Sequence, residues 1–187
     1  MSFDFIGTID VSDFKNNILS LGETSWNENT QRQKYHGVLR DTQFIPLMWD
    51  DQTISQLFYG KKTRYYDILD FAEVKNSIEL KINSKLNLNG VIFRAILARV
   101  GPNVKIPEHV DGPKSNNHCK KIHVPIVTND MVFFTVDGEE RNLKEGQIWE
   151  VDVSKLHSVH NKSSEGRIHL IVMYNEKESM IAKSLDS

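Results

Sequence analysis

The sequence predicts a mainly β fold, a sandwich or barrel, preceded by a mixed segment of helices and strands. Short runs rich in β-branched and aromatic residues follow one another after Gly90, and Gly, Pro, Asn, Asp and Ser separate them. Helical spacing of apolar residues occurs only before Gly90. Closely spaced strands with turns between them are typical of sandwiches and barrels. We therefore expect one domain over residues 1–187, with a mixed part at 1–90 and a β core at 91–175.

The first elements are a short strand and a helix. Residues 3–9 have the composition of a strand, and Asp10 or Ser12 is a suitable N-cap for the helix that follows. Apolar residues then recur with the spacing of one helix face: Phe14, Ile18 and Leu21. Gly22 is expected to end this helix.

A second strand and a longer helix complete the first half. Residues 44–50 are apolar, and Pro46 within them indicates an edge strand or a bulge. The segment 51–72 does not favour helix or strand. Beyond it, apolar residues recur every fourth position: Val74, Ile78, Ile82 and Leu86. This period predicts an amphipathic helix over 73–86, and Asn89-Gly90 forms the turn after it.

Six β-rich runs follow, at 91–100, 120–127, 131–136, 147–153, 157–160 and 167–174. Turn residues occupy each gap, including Asp137-Gly138 and residues 161–166. We expect the helices of the first half to pack on one outer sheet face.

Composition excludes several function classes. The formal charge of the 187 residues is −2, which gives no basic surface for nucleic acid. No apolar run is long enough to span a membrane, and the first residues lack the pattern of a signal peptide. The single cysteine, Cys119, has no intrachain partner and fits a reducing compartment. We therefore expect a cytoplasmic protein that binds neither nucleic acid nor membrane.

Two histidines and one carboxylate form a candidate metal site. His109 and Asp111 are two residues apart, so on an extended chain their side chains point to the same face. His157 must come from another strand. This ligand set is that of non-heme Fe(II) sites with open coordination positions. The His109/Asp111 pair alone is weak evidence, since such pairs are also common on surfaces.

The order of the later motifs resembles a known family. The motifs are H-x-D at 109–111, KIHVPI at 121–126, EGQIWEVD at 145–152, HSVHN at 157–161 and RIHLIV at 167–172. Together they are similar to the aspartyl/asparaginyl β-hydroxylases, which are cupin-like, double-stranded β-helix oxygenases dependent on Fe(II) and 2-oxoglutarate and related to bacterial proline hydroxylases. The resemblance covers about residues 90–175 and implies that fold, a jelly roll, for the core.

The resemblance also implies a role for six residues. His109, Asp111 and His157 would bind Fe(II), and Arg167 would bind the distal carboxylate of the cosubstrate 2-oxoglutarate. Lys121 and His123 fall where relatives carry an arginine and a histidine that contact the same cosubstrate. A planar guanidinium suits a carboxylate because it donates two parallel hydrogen bonds. No catalytic side chain is expected beyond the metal centre.

Other histidines compete for these roles. His160 is three residues after His157, so on a strand the two face opposite ways and only one can be a ligand. His169 and His36 are expected to be structural or surface residues, and His118 a solvated loop residue. For His157 and Arg167 to face the interior together, a hairpin across 161–166 must pair residues whose numbers sum to an even value, such as 157 with 169.

We therefore expect an Fe(II)- and 2-oxoglutarate-dependent dioxygenase that uses O₂ to hydroxylate an unactivated C–H bond. The substrate is an amino acid or an Asp/Asn-type residue of a peptide. Asp111 favours the free amino acid, because some aspartyl β-hydroxylases lack this carboxylate. The alternative is a metal-binding cupin, an isomerase or small-ligand binder that does not use O₂, since one fold hosts many functions. The sequence does not predict the oligomeric state.

Overall fold

Two antiparallel β-sheets, one of seven strands and one of four, form the core of the computed structural model. The structure describes residues 1–30, 33–34, 37–49, 61–111 and 119–176. The strands are β1 (Phe3–Thr8), β2 (Thr42–Trp49), β3 (Lys61–Lys62), β4 (Gly90–Val100), β5 (Lys105–His109), β6 (Lys120–Val127), β7 (Val132–Val136), β8 (Glu139–Arg141), β9 (Gln147–Val151), β10 (His157–Asn161) and β11 (Arg167–Glu176). The large sheet has the order β1-β9-β6-β11-β4-β2-β3, and the small sheet has the order β5-β10-β7-β8. The predicted mainly β fold is confirmed.

The helices cover the outer face of the large sheet. They are α1 (Ser12–Leu19), α2 (Glu23–Asn27), α3 (Arg64–Ile68) and α4 (Phe71–Leu86), with a short 3-10 helix at Gly37–Leu39. Helix α4 contacts β1 and β4, and α2 and α3 contact β2. The buried face of α4 consists of Phe71, Val74, Ile78 and Ile82. The apolar period therefore predicted both the helix and the face that it buries.

Alternation along β11 divides the molecule into two layers. Ile168, Leu170 and Val172 belong to the core under the helices. Arg167 and Ile171 instead line a cavity on the other face, toward the small sheet. Successive strand residues point to opposite faces, so the same strand supplies core residues to one side and polar residues to the other.

The predicted elements differ from the structure at several ends. Helix α1 ends at Leu19, before Leu21 and Gly22. Asp10 accepts hydrogen bonds from the backbone N–H and the hydroxyl of Ser12. The pairing of β2 with β4 shifts between Pro46 and Met48, which confirms a bulge there. Residues 51–60 of the segment without a clear preference lie outside the described residues, and β3 and α3 follow them. Strand β8, at the predicted Asp137-Gly138 turn, was not expected.

The predicted hairpin between His157 and Arg167 is wrong. Strand β10 lies in the small sheet and pairs with β5 and β7, whereas β11 lies in the large sheet and pairs with β4 and β6. Residues 162–166 therefore cross from one sheet to the other. The two side chains face each other across the sandwich, so no register between their strands is needed.

Replacing Asn83 with alanine is expected to destabilise the fold by about 1–3 kcal/mol, because it leaves buried polar groups unsatisfied. The Asn83 side chain accepts hydrogen bonds from the Gly90 N–H at 2.8 Å and the Tyr174 hydroxyl at 2.5 Å, and donates to the Gly90 carbonyl at 3.2 Å. Urea unfolding measures the effect. Asn76→Ala, at an exposed position of the same helix, is the control and should change the free energy of unfolding by less than about 0.5 kcal/mol. Equal effects of the two variants would contradict the prediction.

Candidate metal centre

His109 and His157 lie opposite each other on neighbouring strands of the small sheet. They are direct partners in the antiparallel pairing of β5 with β10, and their ring centroids are 4.2 Å apart. Directly paired residues of an antiparallel ladder point to the same face. The pairing therefore brings together two imidazoles that are 48 positions apart in the sequence.

Asp111 joins them from just beyond the end of β5. Its backbone N–H donates a hydrogen bond to the Val153 carbonyl at 3.2 Å. Its Oδ1 lies 3.7 Å from Nε2 of His109 and 3.8 Å from Nε2 of His157. Sequence analysis expected an extended chain through both residues, but the strand ends at His109 and the hydrogen bond to Val153 anchors the backbone beyond it.

The three donor atoms are close enough to share a cation. One ligand atom from each residue lies within 4.8 Å of the others. Nitrogen and oxygen ligands bind first-row metals such as zinc at roughly 2.0–2.2 Å, so one ion between them would reach all three after at most a small contraction. Within the part of the chain that the structure describes, this is the one group of three His, Cys, Asp or Glu residues with such spacing.

Both imidazoles are oriented by their own strands. Nδ1 of His109 lies 2.9 Å from the Pro107 carbonyl, and Nδ1 of His157 lies 2.9 Å from the Lys155 carbonyl. A carbonyl only accepts, so each Nδ1 donates to its carbonyl, and each Nε2 is left on the side of Asp111. Backbone carbonyls orient metal-binding histidines in this way in many proteins.

The electrostatics favour the protonation states that a metal requires. Burial lowers the pKa of His157, which keeps the imidazole neutral. Burial by itself would raise the pKa of Asp111, but the charge and hydrogen bond of Lys121, with His157 and His109, outweigh it and lower the pKa. A neutral imidazole and an ionised carboxylate are the forms that bind metal.

The remaining predicted residues line the same cavity. Arg167 is 2% exposed and His123 is 4% exposed, and both border the cavity with Lys121 and the three candidate ligands. The rest of the lining is mostly apolar and comes from both sheets and the 3-10 helix: Leu39, Thr42, Ala98, Val100, Ile106, Phe134, Val153, Val159 and Ile171. The structure thus brings together all six residues that the sequence singled out, although they are spread over 59 positions.

A larger cavity of about 640 Å³ lies elsewhere, between α1 and α4. Among the described residues, its lining contains acidic, basic, polar and apolar side chains but no histidine or cysteine. The smaller cavity between the sheets is the candidate site, because the convergent ligand atoms border it.

The histidines that competed for these roles are not among the three candidate ligands. His160 is paired with Phe133 and Lys105 and does not line the cavity. His118 and His36 lie outside the described residues. His169 is 1% exposed, and its ring centroid is 5.9 Å from that of His123. It is a buried residue of the large sheet, as the structural interpretation expected.

Sequence reasoning missed two features of the site. Lys121 pairs with Asp111, and Phe134 packs its ring 5.1 Å from His123 and 6.1 Å from His157. No sequence signal identifies either contact, since each joins strands that are distant along the chain.

Acid is expected to destabilise the metal-free protein partly through His169. Burial, aided by Arg167 and His123, lowers the pKa of His169 well below its usual value. In the unfolded chain, His169 is protonated below about pH 6.5, whereas in the folded chain it stays neutral to lower pH. The free energy of unfolding therefore falls as the pH drops below about 6.5, by up to ~1.4 kcal/mol per pH unit. Urea unfolding of His169→Leu between about pH 7.5 and pH 5.5 should show a shallower decline than the wild type. An unchanged slope would contradict this.

Among the described residues, no helix is long and apolar enough to cross a membrane.

Comparison with solved structures identifies the fold. An oxidoreductase of the 2OG-Fe(II) oxygenase family from Burkholderia pseudomallei is 11% identical, with a TM-score of 0.58 over 89% of this chain and 90% of that one. A prolyl-4-hydroxylase from Pseudomonas putida is 13% identical, with a TM-score of 0.57 over 94% and 93%. A Trichoplax adhaerens prolyl hydroxylase, solved with a hypoxia inducible factor peptide fragment, is 13% identical, with a TM-score of 0.61 over 100% and 87%. These likenesses confirm the cupin-like double-stranded β-helix.

Sequence comparison gives the family. No curated protein matches the chain. The family model described as Aspartyl/Asparaginyl beta-hydroxylase matches residues 68–177, which is more than half of the chain and includes all six predicted site residues. The chain therefore belongs to the aspartyl/asparaginyl β-hydroxylase family.

Proposed function

We propose that this protein is an Fe(II)- and 2-oxoglutarate-dependent dioxygenase that hydroxylates an unactivated C–H bond of an amino acid or of an Asp/Asn-type residue in a peptide. The observation that carries the proposal is the convergence of His109, Asp111 and His157 beside a cavity that also contains Arg167. Membership of a hydroxylase family agrees with it.

The three proposed ligands fit Fe(II) in their chemistry. Two neutral imidazoles and one carboxylate are the set that binds this ion while leaving positions open. When bound, Fe(II) with 2-oxoglutarate would supply the O₂-dependent oxidation that inserts a hydroxyl group and releases succinate and CO₂. His109, Asp111 and His157 would hold the ion beside the cavity that they line.

Arg167 is the proposed partner for the distal carboxylate of 2-oxoglutarate. Its side chain lines the cavity and is almost fully buried. Arg167 is the first residue of β11, the central strand of the large sheet. A buried guanidinium binds a dicarboxylic acid strongly, because the fork geometry gives two charge-assisted hydrogen bonds in a medium of low dielectric. His123, on the neighbouring β6, is proposed to contact the same molecule.

The apolar lining has a separate task. Ile106, Val159 and Phe134 on the small sheet and Val100 and Ile171 on the large sheet surround the polar residues. Such a lining excludes water from the reacting atoms and strengthens the electrostatic contacts inside. Hydrogen abstraction from carbon needs no general base, so no further acid or base is required in the cavity.

The substrate is proposed as an amino acid, free or within a peptide. The Trichoplax adhaerens neighbour was solved in complex with a peptide fragment, which supports including peptides among the candidate substrates. Asp111 favours the free amino acid through the resemblance described above. Screening both classes decides between them.

The test begins without O₂. Fe(II) and 2-oxoglutarate added together to the full chain should produce a weak visible charge-transfer band that neither gives alone. Under air, succinate should form, and its rate should rise with the true substrate in a panel of free amino acids and of short peptides that contain Asp or Asn. A protein that binds Fe(II) but gives no band and no succinate would support the metal-binding cupin instead.

A further inference from the structure

Lys121 contacts one oxygen of Asp111 and not the other. Its ammonium donates a hydrogen bond to Oδ2. Oδ1 is the oxygen that lies 3.7 and 3.8 Å from the two imidazole nitrogens. The carboxylate therefore has two different sides, one toward the cation of Lys121 and one toward the ring nitrogens of His109 and His157.

Lys121 is a firmly placed partner for the Asp111 carboxylate. Lys121 lies on β6, which pairs with β11 on one side and with β9 on the other. Asp111 lies past the end of β5, where its backbone N–H donates to the Val153 carbonyl. The side chains of Lys121 and Asp111 are only 13% and 20% exposed, so the ion pair is shielded from solvent. A shielded charge-assisted hydrogen bond restricts its carboxylate more than an exposed one does.

A free carboxylate can bind a metal ion through one oxygen or through both. Binding through both would occupy one further coordination position. We propose that Lys121 is a positioning residue that holds Oδ2 of Asp111 and so makes Asp111 a ligand through Oδ1 alone. This inference rests on the proposed metal site, and it gives Lys121 a task other than contact with 2-oxoglutarate.

The consequence is the number of positions left for small molecules. Three protein ligand atoms on an octahedral ion leave three positions open. A dicarboxylic acid that chelates through its keto-acid end needs two of them, and a diatomic gas needs one. Loss of the Lys121 contact removes the hold of its ammonium on Oδ2. If Oδ2 then took one coordination position, the dicarboxylic acid and the gas could no longer bind together.

The experiment counts water molecules on a bound metal. Mn(II) is added to the full chain without cosubstrate, and the broadening of its electron paramagnetic resonance lines in ¹⁷O-enriched water gives the number of bound waters. The wild type should hold about three waters, and Lys121→Met and Lys121→Ala should hold about two. Circular dichroism and thermal unfolding verify that each variant is folded.

Lys120→Met is the matched control. Lys120 is the adjacent lysine, and its ammonium pairs with Glu150 at 2.9 and 3.0 Å rather than with Asp111. This variant should keep the wild-type water count. A lower count here would show that general loss of a cation changes the site, which would overturn the positioning role.

The possible outcomes separate the two proposals. Three waters in both Lys121 variants would overturn the positioning role, and a simultaneous loss of 2-oxoglutarate affinity would make Lys121 a cosubstrate ligand instead. A wild type that binds no Mn(II), or a His157→Ala variant that binds Mn(II) with wild-type affinity, would overturn the proposed metal site itself.

Discussion

His157→Ala is expected to weaken Fe(II) binding by at least about 100-fold and to abolish succinate formation. Changes to groups that merely orient a metal ligand cost about 10–100-fold in affinity, and removal of a ligand itself should exceed that range. His157 is 5% exposed and directly opposite His109, so no neighbouring strand residue can take its place. Anaerobic titration calorimetry with Fe(II) measures the change.

His160→Ala is the control for this variant. His160 belongs to the same strand, but it pairs with Phe133 and Lys105 and lies outside the cavity. Its removal should leave Fe(II) affinity within about threefold of the wild type, since surface substitutions cost less than about 0.5 kcal/mol. Equal losses in the two variants, or normal binding in His157→Ala, would refute the assignment of His157.

Arg167→Ala is expected to weaken 2-oxoglutarate binding by about 100-fold or more while Fe(II) still binds. A hydrogen bond to a charged group contributes about 1.5–3 kcal/mol, and the guanidinium fork offers two of them. Arg167 is almost fully buried, and charge-assisted contacts are stronger there than in water. Calorimetric titration of 2-oxoglutarate into the Fe(II)-loaded variant, without O₂, measures the loss.

Two further variants make the result specific to Arg167. Arg167→Lys keeps the charge but not the fork, so its 2-oxoglutarate affinity should fall between those of the wild type and Arg167→Ala. Arg99→Ala removes a guanidinium from the neighbouring β4, where it stacks 4.6 Å from the Trp26 ring and pairs with Glu23. It should leave 2-oxoglutarate affinity unchanged. Unchanged activity of Arg167→Ala would mean that 2-oxoglutarate is not the cosubstrate, and would favour the metal-binding cupin.

Local periodicity explains how much of the fold was predictable. Apolar residues at every fourth position gave α4, and the β-rich runs gave β4, β6, β7 and β9–β11 to within a few residues. Helix α1 was predicted too long because Leu21 continues the apolar period beyond Leu19, where the helix ends. The spacing of apolar residues indicates which side chains are buried, but backbone hydrogen bonding determines where a helix ends.

Strand pairing was not predictable in the same way. Residues 161–166 have the composition of a hairpin loop, yet they join β10 in one sheet to β11 in the other. Turn composition specifies that the chain reverses, but it does not specify the partner of the next strand. The partner depends on contacts over long sequence distances, such as those of β11 with β4 and β6.

The sequence by itself determined the class of the fold, because strand alternation is a local property, and the resemblance of its motifs to a known family implied the six candidate site residues. Only the tertiary structure decided how these residues meet. The pairing of β5 with β10 sets His157 against His109, and the crossing between sheets carries Arg167 into the same cavity. The tertiary structure also showed that Lys121 contacts Asp111. These contacts join distant strands, and packing of the two sheets, rather than any local pattern, fixes them.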